Sequence, residues 1–289
     1  MPSDALWEQY EDQFPVRKNM VYLNHASVAP LCRAAAEAMK HLADDALQFG
    51  SFHYDRWLAA YAGVRQSAAR LMGGDPTEIA IVKNTSEGIS TVANGLSWKS
   101  GDRVVAFTEE FPSNFYPWKR LESLGVHVVW LSIFDPLEKI DAACRGARLL
   151  AVSFVQYLSG YRVDLHSLGE ICERNQCLFF VDAIQGLGAF PIDVRQSRIH
   201  ALAADGHKWL LGPEGCGILY VGKDVQEQIA PTEFGWTNVA QYYDYASRDM
   251  TLRDDAGRYE CGTLNTIGCY GLGAALYFVL GVGFDRIGP

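Results

Sequence analysis

The chain has 289 residues, of which 49% are hydrophobic and 20% charged, and its formal net charge is -9. That length and balance support a sizeable globular core, and the acidic surplus argues against a nucleic-acid or anionic-membrane surface as the main partner. The seven cysteines (Cys32, Cys144, Cys172, Cys177, Cys216, Cys261 and Cys269) form no CxxC pair. An odd, scattered set reads as reduced thiols, not as a disulfide framework or a zinc site. The acidic opening, MPSDALWEQYEDQF, is unlike a signal or transit peptide. No run of about eighteen apolar residues occurs, so a cytoplasmic protein without a membrane span is expected.

In chain order, two amphipathic helices are expected over 33–49 and 56–72. The pattern then alternates between two periods. Strands are expected over 79–82, 103–107, 126–131, 149–154, 178–181, 201–204 and 217–221, with helices over 88–96, 114–124 and 165–175, the last capped by Asp164. A small-residue helix follows over 268–281. Strands continuous in apolar residues and separated by helices imply an α/β fold: three layers, with a mostly parallel seven-stranded sheet covered on both faces. There is no internal repeat and no low-complexity linker.

Three motifs carry chemistry. The apolar run from Cys177 delivers Asp182 to a strand tip, where ligands bind in open α/β sheets. Taken alone, Asp182 is as well explained by a helix cap or a buried salt bridge. Ala203-Ala-Asp-Gly-His-Lys208-Trp follows another short strand and runs into a glycine-rich turn. A partly desolvated lysine there can form a Schiff base, although an isolated lysine is more often a surface residue. Lys83-Asn-Thr85-Ser86-Glu87-Gly88 lies between a strand and a helix. Its hydroxyls and free N–H groups would make a phosphate cup, or Thr85 and Ser86 simply cap the helix. Together the three supply phosphate donors, an acid for a ring nitrogen and an amine for an aldehyde.

The ordered set Thr85-Ser86, Asp182-Ala-Ile-Gln185, His207-Lys208 and Arg258-Tyr-Glu-Cys-Gly262-Thr263-Leu-Asn265 resembles the class V aminotransferase family of fold-type I pyridoxal-phosphate enzymes. That family includes cysteine desulfurases, selenocysteine lyases and isopenicillin N epimerase. The opening Tyr22-Leu-Asn-His-Ala26 fits as well. The resemblance implies that Lys208 holds the cofactor as a Schiff base and moves the proton at the substrate α-carbon. Asp182 would pair with the pyridinium nitrogen and Gln185 with the ring hydroxyl. Thr85, Ser86 and His207 would hold the phosphate, and Thr263 would reach the phosphate site of a partner subunit in a homodimer. Asp205 stands where desulfurases often have a hydroxyl residue, and Arg258 and Glu260 read as structural.

Two departures lead away from a strict desulfurase. Phe111 occupies the ring-stacking position where desulfurases resemble one another in having histidine. A phenyl ring can stack but cannot shuttle protons, and core packing explains Phe111 equally well. Gln156-Tyr157 sits where desulfurases tend to have an asparagine. The resemblance divides the chain into an N-terminal segment (1–30) and a large cofactor-binding domain (31–289). It implies a following small domain with an arginine for the substrate carboxylate and, in desulfurases, a nucleophilic cysteine, neither of which is found here. The expected activity is α-carbon chemistry on an amino acid: transamination, epimerisation or elimination. The alternatives are a cysteine desulfurase or selenocysteine lyase, and a cofactor-binding protein without turnover.

Overall fold

A computed structural model describes residues 5–287. The first four residues of the expected N-terminal segment and the last two of the chain lie outside the described residues. The strands are β1 (Ile79–Val82), β2 (Arg103–Phe107), β3 (His127–Leu131), β4 (Leu149–Ser153), β5 (Leu178–Asp182), β6 (Ala201–Asp205) and β7 (Gly217–Val221). The helices are α1 (Leu6–Gln9), α2 (Arg33–Phe49), α3 (Tyr54–Met72), α4 (Thr85–Gly95), α5 (Tyr116–Arg120), α6 (Leu137–Cys144), α7 (Leu165–Arg174), α8 (Thr266–Val282) and α9 (Phe284–Ile287).

The strands form one sheet in the order β1-β7-β6-β5-β4-β2-β3. It is parallel throughout except for β7, which runs antiparallel to both β1 and β6. The strands are short and apolar on both sides because both faces are covered. One face buries Ile81, Val105, Leu150, Phe179, Val181 and Ile218 against α3, α6, α7 and α8. The other buries Val82, Ala106, Ala151, Phe180 and Leu219 against α4 and the segment around Trp118. Six of the seven cysteines are buried, and Cys261 is half-buried.

The helices α1, α6 and α9 are not among those expected from the sequence, and two of the expected helices differ in extent. The stretch over 114–124 is not one helix: it winds as 3-10 turns at Pro112–Asn114 and Leu121–Leu124 around the five-residue α5. Pro112 and Pro117 each remove a backbone donor, so longer helical runs cannot close there. In addition, α4 begins three residues before the expected start because Asn84 is its cap, accepting the Glu87 N–H at 2.9 Å. Thr85 and Ser86 are therefore first-turn residues, and the reading of them as caps is corrected.

The helix α4 lies directly on the sheet. A Cβ at Gly88 would sit 2.8 Å from the Ala203 Cβ of β6, so only glycine allows the helix this close. The same contact fixes the N-terminus of α4 beside the carboxyl tip of β6.

Candidate active site

The parallel strands point their carboxyl ends to one edge of the sheet, where β4, β5 and β6 finish in Ser153, Asp182 and Asp205. These tips, the start of α4 and the turn after β6 enclose a cavity of about 550 Å³. Its lining includes Asn84, Thr85, Ser86, Phe111, Asp182, Gln185, Asp205, His207 and Lys208. The structure thus brings together every expected site residue except Thr263, which is exposed and absent from that lining.

Asp182 is 2% exposed, and its Oδ1 accepts the Ile184 N–H at 3.0 Å. Among the described residues it makes no salt bridge, so the buried-salt-bridge explanation is corrected, while its bond to the Ile184 N–H is of the capping kind. Burial, with the Glu110 carboxyl adding to it, pushes the Asp182 carboxyl up to about 7; the Ile184 N–H and Lys208 oppose this. A carboxyl so placed calls for a cation in the cavity.

Lys208 is half-buried, and its Nζ stands 5.8 Å from the centre of the Phe111 ring. Burial pulls its ammonium below the usual lysine range, opposed by Asp182 and Asp205, which moves the amine toward the nucleophilic form. The following turn is held by the Leu211 N–H to the Lys208 carbonyl at 3.1 Å and the Gly212 N–H to the Gly206 carbonyl at 2.8 Å. Leu211 takes φ 61°, a left-handed conformation costing roughly 1 kcal/mol or more. The lysine is presented on a backbone that its surroundings hold in place.

The phosphate end has unfilled donors. Thr85 is buried and its Oγ1 has no hydrogen-bond partner among the described residues. Ser86 Oγ donates to Ser113 Oγ at 2.7 Å, and the first turn of α4 leaves N–H groups without intrahelical acceptors. His207 Nδ1 lies 3.1 Å from Asp205 Oδ2 but is not aligned as a hydrogen bond, while Asp205 Oδ1 accepts the Gly206 N–H at 2.7 Å. Gln185 is oriented by the fold: Trp209 Nε1 donates to its Oε1 at 3.0 Å, and its Nε2 donates to the Ala26 carbonyl at 2.8 Å. One amide hydrogen remains for the cavity.

Phe111 is 45% exposed and meets Tyr157 edge-on, ring centres 5.2 Å apart. It faces the cavity, so the core-packing explanation is corrected. Arg258 and Glu260 are buried, and Glu260 accepts the Ile81 N–H and binds Arg65, a structural role as expected. The sequence reading missed Asn84, Ser113, Ser153 and Glu110. Hydroxyls and a capping amide are too common to stand out. Glu110 reads as solvated beside Glu109 until the fold buries it.

An α/β sheet with a buried acid, a desolvated lysine and an anion cup at its carboxyl edge is the arrangement of a fold-type I cofactor enzyme. The aminotransferase class-V profile matches residues 21–288. A probable cysteine desulfurase of Methanothermobacter thermautotrophicus is 33% identical, the match covering 97% of this chain and 72% of that one. An uncharacterized aminotransferase of Bacillus subtilis is 29% identical over 98% and 76%. Among solved structures, the apo cysteine desulfurase of Thermococcus onnurineus superposes with a TM-score of 0.88 at 26% identity, covering 99% of this chain and 74% of that one. A cystine C–S lyase in complex with cysteine persulfide gives 0.87 at 26%, over 94% and 74%. The chain belongs to the class-V aminotransferase family of pyridoxal-phosphate enzymes.

Proposed function

We propose that this chain acts at the α-carbon of an amino acid, with Lys208 as the catalytic amine. The observation that carries the reading is the convergence of the Lys208 amine, the buried Asp182 carboxyl and the unpartnered Thr85 hydroxyl on one cavity. Pyridoxal phosphate fits this donor set: Thr85, Ser86, His207 and the first turn of α4 would hold its phosphate. Asp182 would face its ring nitrogen, Gln185 its ring hydroxyl and Phe111 its ring face, with Asp205 beside His207. When bound, it supplies an electron sink for the bonds of the α-carbon.

Lys208 would hold the cofactor aldehyde and would take or return the proton at the α-carbon, with its basicity set by burial. Asp182 would keep a positive charge on the ring nitrogen favourable, because an ionised carboxylate at 2% exposure needs one. Reduction with borohydride and mapping of the pyridoxyl-bearing peptide tests the assignment. An adduct on Lys208, lost in Lys208→Ala, is expected. An unchanged adduct in that variant would refute it.

The relatives named cysteine desulfurase favour a second reading: removal of sulfur or selenium from cysteine or selenocysteine. Phe111 and Tyr157 at the cavity favour the broader one, since neither supplies an imidazole. Alanine release from cysteine separates the two. A cytoplasmic homodimer in which Thr263 reaches the partner's phosphate site is part of the same proposal. The exposure of Thr263 outside its own cavity supports it, and light scattering giving a monomer would remove it.

A further inference from the structure

We infer that Glu110 is a positioning residue of the cofactor site, which sets the charge of Asp182 from behind the tip of β4. This rests on the reading of Asp182 as the acid facing the ring nitrogen. Glu110 is 6% exposed, on the loop that carries Phe111, and lies outside the cavity lining but bonded to Ser153, which lines it. Its Oε1 accepts the Ser153 N–H at 2.7 Å and the Gln156 amide at 3.1 Å, and its Oε2 meets the Ser153 hydroxyl. Ser153 is the direct register partner of Asp182 across the parallel β4–β5 pair, and Phe154 N–H binds the Asp182 carbonyl at 2.9 Å. One residue therefore separates the two buried carboxyls.

A glutamate costs free energy in such a place unless its charge has a use or its donors compensate it. Burial pushes the Glu110 carboxyl above the usual carboxylate range, while the Ser153 N–H and hydroxyl and the Gln156 amide oppose this and favour its ionised form. Lys208 on its turn is the charged group that acts on Asp182, and Asp205 at the tip of β6 acts in turn on Lys208; the polar groups around Glu110 are Ser153, Gln156 and Asn114. Lys208 alone is cationic. The two neighbouring buried carboxyls titrate as a coupled pair, so the charge on Glu110 affects how readily Asp182 ionises before a ring cation arrives. The same carboxyl ties the Phe111 loop to the sheet, which places the ring face and the ring-nitrogen acid in one rigid unit.

The test uses the full chain without cofactor. The infrared carboxylic C=O band of buried acids is titrated against pH in wild type, Asp182→Asn and Glu110→Gln. The band lost in Asp182→Asn is that of Asp182. In Glu110→Gln its midpoint falls by on the order of one pH unit, since a neighbouring carboxyl that competes with Asp182 for ionisation has been removed. Coupling is reciprocal, so the Glu110 band in Asp182→Asn moves down by a similar amount, which keeps the test valid if Glu110→Gln does not fold. Midpoints unmoved in both directions would overturn the inference and leave Glu110 as packing. Failure of Lys208 trapping would refute the proposed function without touching these midpoints, so the two can fail separately.

Discussion

Asp182→Asn is expected to stabilise the cofactor-free chain at alkaline pH while weakening cofactor binding. Burial raises the folded carboxyl from the unfolded value of 3.8 to about 7. Because the folded value is the higher one, the associated stability is fully present below about pH 3.8 and is lost as pH rises through about 7. Near pH 8.5 the buried acid costs about 4 kcal/mol, and near pH 5 under half of that, at 1.36 kcal/mol per unit. Asparagine keeps the shape and does not titrate. Its buried amide costs roughly 1–3 kcal/mol at either pH, so that cost cancels when the two conditions are compared. The effect of the substitution should therefore become more favourable by about 3 kcal/mol between pH 5 and pH 8.5. Urea unfolding of both cofactor-free proteins at the two pH values measures it. A pH-independent difference would show that Asp182 is ionised and compensated within the fold, and the argument for a ring cation opposite it would fail.

Thr85→Val removes a buried hydroxyl that has no partner. The cofactor-free chain should gain up to about 1 kcal/mol while cofactor affinity falls about tenfold; calorimetry and equilibrium dialysis report the two. Gly88→Ala should lose about 1–3 kcal/mol despite better helix propensity, because the new methyl would sit 2.8 Å from Ala203 Cβ. Cofactor affinity should fall with it as the start of α4 lifts from β6, and thermal melts with and without cofactor check both. Asn84→Ala should cost about 1 kcal/mol through loss of the cap on Glu87 N–H, measured by urea unfolding; no change would mean that the first turn is held by packing alone.

The sequence by itself determined the seven strands to within a residue or so and placed Asp182 and Lys208 at their carboxyl ends. Continuous apolar runs can be satisfied only by a doubly covered sheet, and the polar residue that ends each run must emerge at its edge. The sequence also implied the phosphate cup, but it could not separate ligand from cap at Thr85, because both uses call for the same hydroxyl at a helix start. Tertiary structure ruled out the cap by supplying Asn84 in that role, and it leaves Thr85 Oγ1 without a partner among the described residues. It also decided the strand order, in which β7 is inserted antiparallel between β1 and β6, since pairing between β1 and β7, far apart in the chain, leaves no local pattern. The burial of Glu110 behind Asp182 has the same origin: its partners, Ser153 and Gln156, lie 43 and 46 residues along the chain, and only the folded sheet brings them to it.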